Sequence, residues 1–369
     1  MKPFKLERYF AQYEFKVKYL LSPSDCESLS MSELLEMAEP GDLRLWDELK
    51  LGYTESQGHP VLRAAVAGFY QNISPESLVI AAPEEAIFIA MNALLKPGDH
   101  VIALFPAYQS LYEVARSLGC EVTLWTLLAG EKGWQLDFNQ LERSLQPNTR
   151  LLVVNFPHNP TGFLPTRAEL EAIVKFARWN DLALFSDEMY RLLEYDPKMR
   201  LPAICDLYED GISLSGLSKA FALPGLRLGW LASQNLAFVT QWLTFKDYTT
   251  ICSSAPSEIL GLIGLHNKEK ILVRNLGIIQ NNVEAAGEFF ASHPDQFSWI
   301  EPKAGSVAFP IWRGSGSVDL FCQEVLEQQG VMVVPGSIFE YPGNHFRIGL
   351  GRLNLPEALR RLGEYLSQG

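Results

Sequence analysis

The stretch SGLSKAFALPGLRLGW, residues 215–230, sets one lysine among Gly, Ser and Ala and one arginine eight residues further on. A lysine whose amine is freed by burial and by its neighbours can form a Schiff base with an aldehyde. A guanidinium presents a planar fork of donors that suits a phosphate dianion. Lys219 and Arg227 are therefore candidates for a covalent bond and an anion grip, against the plainer reading of two surface cations closing a strand and a turn.

Three further stretches weigh towards chemistry. In FSDEMY (185–190), Asp187 closes an apolar run that reads as a buried strand, where an unpaired charge is expensive. The N–H of a protonated ring nitrogen would keep it ionised. Tyr190, and Asn159 in NFPHNPTG (155–162), could both reach a phenolic oxygen, although NPTG is also good turn chemistry. In FPAYQSLY (105–112), Tyr108 could stack on a flat ring. Pyridoxal 5'-phosphate asks for all of these: an amine for its aldehyde, an acid for its ring nitrogen, and cations with a helix N-terminus for its phosphate.

The elements that must hold these residues are legible as apolar runs separated by helical segments. LVIAA (78–82), HVIAL (100–104), EVTLW (121–125), RLLVVN (150–155), DLALFS (181–186) and GISLS (211–215) read as strands, apolar on both faces as a covered parallel sheet requires. PVLRAAVAGFY (60–70) opens with Pro60 in a first helical turn, and AELEAIVKFARW (168–179) spaces Leu170, Ile173, Val174 and Ala177 for one helix face. Residues 1–40 read as charged and helical, with a capping-box pattern at Ser30 and Glu33. Lys219 then follows a strand, where open α/β sheets place ligands.

Bulk composition narrows the partners. The 369 residues allow about two to three domains, and 47% hydrophobic with 20% charged is ordinary globular usage. There is no run of 18 apolar residues, and MKPFKLERYF lacks the apolar core of a signal peptide, which predicts a soluble, cytoplasmic protein. Five cysteines without CxxC spacing and six histidines without HExxH argue against a disulfide framework or a metal site. A net charge of -12 disfavours nucleic acid and anionic membranes as partners.

GLSKAFALPGLRLG (216–229), NPTG, the Asp–x–x–Tyr of DEMY, PAY and HFRIG fall in the order of the class I/II pyridoxal-phosphate aminotransferases, which the chain resembles from about Tyr53 to Arg347. The resemblance implies the α/β fold type I: a large, mostly parallel sheet domain over residues 45–255 and a smaller α+β domain built from 1–44 and 256–369. It implies Lys219 as the amine bonded to the cofactor and the shuttle for its protons, with Asp187 on the ring nitrogen. Asn159 and Tyr190 would hold the phenolic oxygen, Tyr108 would stack on the ring, and Arg227 would bind the phosphate. Arg347 of HFRIG would clamp the α-carboxylate of an amino-acid substrate, with Asn159 nearby. Tyr53 would reach the phosphate from a neighbouring subunit, which implies a homodimer with shared active sites.

Two departures from the family pattern fall at the phosphate. Ala82-Pro83-Glu84-Glu85-Ala86 stands where Gly and small residues are usual; Pro83 has no N–H, and Glu84 brings an acid, with only its backbone N–H to serve. Gly216 replaces a hydroxyl, so Ser215 or Ser218 must supply that bond.

Within the family, LERYF, NFPHNPTG, LSKAFALPGLRLGW, SVAFPIW and VVPGSIF most resemble the branch of cyclases that form capreomycidine and enduracididine. That branch implies dehydrative cyclisation of a hydroxylated arginine to a cyclic guanidino amino acid. A guanidinium needs carboxylates opposite it, and SPSDCES (22–28) supplies Asp25 and Glu27, with Glu84 as a third. The competing role for Asp25 and Glu27 is to cap the helix that begins near Ser30. The competing function is an aminotransferase moving an α-amino group to 2-oxoglutarate or another oxo-acid. A non-catalytic domain that senses the cofactor or amino acids is disfavoured, because residues 1–44 contain no basic recognition helix.

Overall fold

A computed structural model describes residues 1–130 and 133–367. The six apolar runs form strands β1 (Leu78–Ala81), β2 (His100–Phe105), β3 (Glu121–Thr126), β4 (Thr149–Asn155), β5 (Ala183–Asp187) and β6 (Gly211–Gly216). A seventh, β7 (Gly229–Ala232), grows from the far end of the lysine stretch. The sheet order is β1-β7-β6-β5-β4-β2-β3. Strands β2 to β6 pair in parallel, and β7 runs antiparallel to both β1 and β6.

Every residue of β1, β2 and β7 is buried, as helices on both faces of a sheet require. The expectation that all strands are apolar on both faces fails at β3. This edge strand leaves Glu121 exposed and most of its residues half-buried, whereas β1 at the opposite edge is wholly buried.

Among the helices are α1 (Lys5–Tyr13), α2 (Pro60–Ala67), α3 (Pro83–Leu94) and α4 (Arg167–Trp179), of which α1 and α3 line the site. Thr166 and Glu169 form a capping box for α4, which buries the four residues that its sequence spaces for one face. Proline sits in the first turn of α2 and α3, where a missing N–H breaks no helical bond. Residues 1–40 hold less helix than expected: α1 and a helix at Met31–Glu36, capped by Ser30 and Glu33, flank an irregular stretch. Within it, Tyr19–Leu20 pairs in parallel with Val331–Met332. No helix among the described residues is long and apolar enough to cross a membrane.

One close approach fixes the geometry beneath the site. Gly216 and Gly229 oppose each other across β6 and β7. A Cβ on Gly229 would stand 2.7 Å from the Ser215 carbonyl oxygen and 2.9 Å from Pro83 Cγ. A Cβ on Gly216 would meet Gly229 Cα and the Leu228 oxygen at 3.0 Å. The absent hydroxyl at residue 216 thus has a packing reason, and α3 begins directly against the end of the lysine strand.

Candidate active site

The C-terminal ends of the parallel strands open into a cavity of about 570 Å³. Asp187 is the last residue of β5, Asn159 sits in the loop after β4, Tyr108 follows β2, and Ser218 with Lys219 follows β6. The Asp187 carboxylate accepts the Met189 N–H at 3.0 Å. Burial pushes Asp187 up to about 6, against the pull of that N–H and of the charge on Lys219. Lys219 Nζ donates to Ser24 Oγ at 2.7 Å and lies 5.8 Å from the Tyr190 ring centroid. Asn159 donates its backbone N–H to Asn155 Oδ1 at 2.7 Å, while its own Oδ1 accepts from Arg347 Nη1 at 3.2 Å.

Two hydroxyls on this floor have no partner among the described residues: Tyr190 Oη and Ser218 Oγ, both buried and both on the cavity lining. Buried polar atoms are rarely left unpaired, because desolvation then goes uncompensated. Arg227 enters the cavity from a left-handed residue (φ 52°), its Nη1 donating to the Pro224 oxygen at 3.0 Å. Glu84, in the first turn of α3, accepts from Ser110 Oγ at 3.2 Å. Burial pushes Glu84 up to about 7, opposed by the Ser110 bond.

The wall facing this floor comes from the first 25 residues. Glu7, Phe10 and Glu14 line the cavity from α1 and its C-terminal cap, and Pro23 to Asp25 line it from the loop beyond. The Tyr108 hydroxyl donates to Glu7 Oε1 at 2.9 Å, and the Tyr9 hydroxyl ties α1 to the Val333 oxygen at 2.9 Å. Arg347 is 1% exposed, with Nη2 donating to the Ser22 oxygen at 3.1 Å and the Phe10 and Phe339 rings 5.7 and 5.4 Å away. It makes no ion pair among the described residues, and its Nε has no partner. Burial lowers its pKa, the mark of a buried cation open to an anion.

The Glu14 carboxylate likewise has no hydrogen bond or ion pair among the described residues, and burial, then repulsion from Asp25, raises its pKa. Among the described residues, five carboxyl groups line the cavity (Glu7, Glu14, Asp25, Glu84, Asp187) against three cations (Lys219, Arg227, Arg347).

Ten of the expected residues thus meet: Lys219, Asp187, Asn159, Tyr190, Tyr108, Arg227, Ser218, Glu84, Arg347 and Asp25. Three do not. Ser215 lies within β6, paired with Trp230, so the hydroxyl at hand is that of Ser218. Glu27 points away from the cavity, accepting the Leu353 N–H at 3.1 Å and standing 3.7 Å from Arg352. Arg352 also holds Asp25, at 2.8 Å, so neither acid caps the helix near Ser30. Tyr53 is 91% exposed and outside its own chain's cavity. Sequence reading passed over Glu7, Phe10, Glu14 and Ser24. The spacing of 7, 10 and 14 puts the first three on one helix face, which is the signal that was available.

A lysine after a parallel strand, a buried acid at the end of its neighbour and orphaned hydroxyls between them suit pyridoxal phosphate, and these features with this sheet define an enzyme of fold type I that depends on that cofactor. The chain belongs to the class I and II aminotransferase family, whose model matches residues 45–362. It is 31% identical over 369 residues to capreomycidine synthase from Streptomyces vinaceus, an alignment that takes in 98% of this chain and 93% of that protein. A crystal structure of a PLP-dependent aminotransferase from Streptococcus suis superposes with a TM-score of 0.93 at 29% identity, over 100% of this chain and 98% of the other. The PLP-dependent cyclase OrfR superposes with a TM-score of 0.91 at 26% identity, over 100% and 98%.

Proposed function

We propose that the enzyme closes a ring in a hydroxylated arginine with loss of water, giving a cyclic guanidino amino acid. The observation that carries this reading is the unpartnered carboxylate of Glu14 beside Asp25 on the cavity wall. A phosphate adds two negative charges to a cavity already lined by five carboxyls and three cations, and a substrate with a cationic side chain offsets that excess. The identity to capreomycidine synthase, spread over 98% of the chain, supports the same reading.

Bound in the cavity, pyridoxal phosphate supplies an aldehyde for the substrate's amino group and a ring that draws electrons from its α-carbon. Lys219 moves the proton at the α-carbon. Asp187, ionised, would accept the ring N–H; Asn159 and Tyr190 would hold the phenolic oxygen, and Tyr108 would stack on the ring. Arg227 and Ser218 would hold the phosphate at the start of α3. Arg347 pairs with the substrate's α-carboxylate, and Glu14 with Asp25 holds the guanidinium against the floor. One C–O bond and one guanidine N–H bond break, the hydroxyl leaving with that proton as water, and one C–N bond forms, so no oxidant or second substrate is consumed. Holding the nitrogen near the carbon it attacks removes most of the entropic barrier to closure.

Exposed apolar residues beside Tyr53 support a homodimer in which Tyr53 reaches the partner's phosphate. Leu51, Tyr53 and Tyr248 are each at least 87% exposed, and Ser56 Oγ to Asp247 at 3.3 Å joins their two segments.

The test is incubation with hydroxyarginine or L-arginine, with and without 2-oxoglutarate, and product analysis by mass and NMR. A cyclic product lighter by one water, formed without oxo-acid, is expected. Strict dependence on oxo-acid with glutamate formed would instead make the enzyme an aminotransferase, the reading to which the Streptococcus suis structure lends weight.

A further inference from the structure

At the first turn of a helix, free N–H groups point at an anion and the helix dipole favours it. Pro83, first in α3, has no N–H to offer, and Glu84 follows it with an acid. The carboxyl of Glu84 nevertheless lines the cavity together with Arg227 and with Ser218, whose hydroxyl is buried and unpartnered. One oxygen, Oε2, accepts from Ser110 at 3.2 Å, and Oε1 has no hydrogen-bond partner among the described residues. The charged groups facing Glu84 are Glu7 on α1, Asp187 at the end of β5 and Arg227 before β7, two acids against one cation. A phosphate dianion here would repel an ionised Glu84, whereas a neutral carboxyl is a hydrogen-bond donor that a phosphate oxygen accepts.

We propose that Glu84 is a phosphate ligand that works in its protonated form: its carboxyl donates to a phosphate oxygen of the cofactor, where Pro83 removes a backbone donor, and cofactor binding holds that proton in place. This rests on the placement of the phosphate at the start of α3 given above.

The sign follows from linkage. Burial sets the carboxyl of the free protein to titrate at about 7. Below that pH the proton is already in place. Above it, each cofactor bound takes up one proton, so affinity falls by up to about tenfold per pH unit. Ionisations of the cofactor itself are common to the wild type and to a Glu84→Gln variant, whose amide donates at every pH.

Holoenzyme of the wild type, Glu84→Gln and Arg227→Ala is dialysed to equilibrium between about pH 6 and about pH 9, and retained cofactor is read by its absorbance. The wild type is expected to lose affinity with rising pH more steeply than Glu84→Gln, by up to about tenfold per unit above about pH 7. Equal slopes overturn the role of Glu84. If Arg227→Ala retains the cofactor as well as the wild type does, the phosphate placement is what fails. Calorimetry on the wild type alone covers a variant that does not fold. In buffers of different ionisation heat near about pH 8, binding of pyridoxal phosphate should take up one proton more than binding of pyridoxal, and an equal uptake overturns the inference.

Discussion

The floor and the wall of the cavity are built by different means. Lys219, Asp187 and Asn159 stand at or just beyond the ends of adjacent parallel strands; Asp187 belongs to the ladder and accepts the Met189 N–H, and Asn159 is tied back by its own N–H to Asn155 Oδ1. Glu7, Phe10, Glu14 and Asp25 stand on a nine-residue helix without a side-chain N-terminal cap and on the irregular chain after it. The floor is over-determined by the sheet, and the wall is held by a few long-range bonds, among them Tyr9 to Val333 and Arg352 to Asp25. A rigid floor suits chemistry that the whole family shares, and a separately anchored wall leaves the substrate's side chain to be read by a different set of residues.

Variants can break this comparison at either end. The largest effect is expected at Lys219: in Lys219→Ala, turnover should fall by about 10³-fold or more, and borohydride should no longer fix the cofactor to the chain. Asp187→Ala should keep the fold, seen by circular dichroism, while kcat drops by about 10²-fold, because a ring without a carboxylate partner is a poorer electron sink.

Wall variants should act on binding instead. Glu14→Gln and Asp25→Asn should each raise KM for the proposed guanidino substrate by about tenfold, with kcat changed far less, as expected for one lost charge-assisted bond. Glu27→Gln should leave KM within about twofold. A kcat loss in the wall variants as large as that in Asp187→Ala would erase the division between floor and wall.

The smallest effect sharpens the energetic side of the comparison. Asp187 is held up to about 6 in the fold, above its ordinary 3.8, so the folded chain keeps this proton longer than the unfolded one. Ionisation therefore costs stability as pH rises through that interval. Above about pH 6 cofactor-free Asp187→Asn should be more stable than cofactor-free wild type, by up to about 3 kcal/mol, with the gap closing below about pH 4. Added cofactor should reverse the order.

The floor was legible because its chemistry demands particular residue types at strand ends, and buried parallel strands announce themselves as apolar runs. Ser215 was misplaced by the smallest margin: β6 extends through Gly216, which keeps Ser215 inside the ladder and leaves Ser218 as the first serine beyond it. Asp25 and Glu27 could not be separated from sequence, since what distinguishes them is Arg352, more than 320 positions away, which binds Asp25 at the cavity edge and draws Glu27 off it. Glu14 was missed because a helix face has no meaning as a wall until the sheet it covers is known. The edge position of β3 is likewise a property of strand order, which the run EVTLW does not carry.

The pairing of Tyr19–Leu20 with Val331–Met332 gives the molecule a schedule. A ribosome adds about 5–20 residues per second, so tens of seconds separate the synthesis of the two strands. The floor residues, through Arg227, are all made within that interval, and Phe4 already finds Tyr108, whereas the Val333 oxygen that takes the Tyr9 hydroxyl is not yet made. The floor of the cavity is thus made well before the last of the bonds that hold the wall against it.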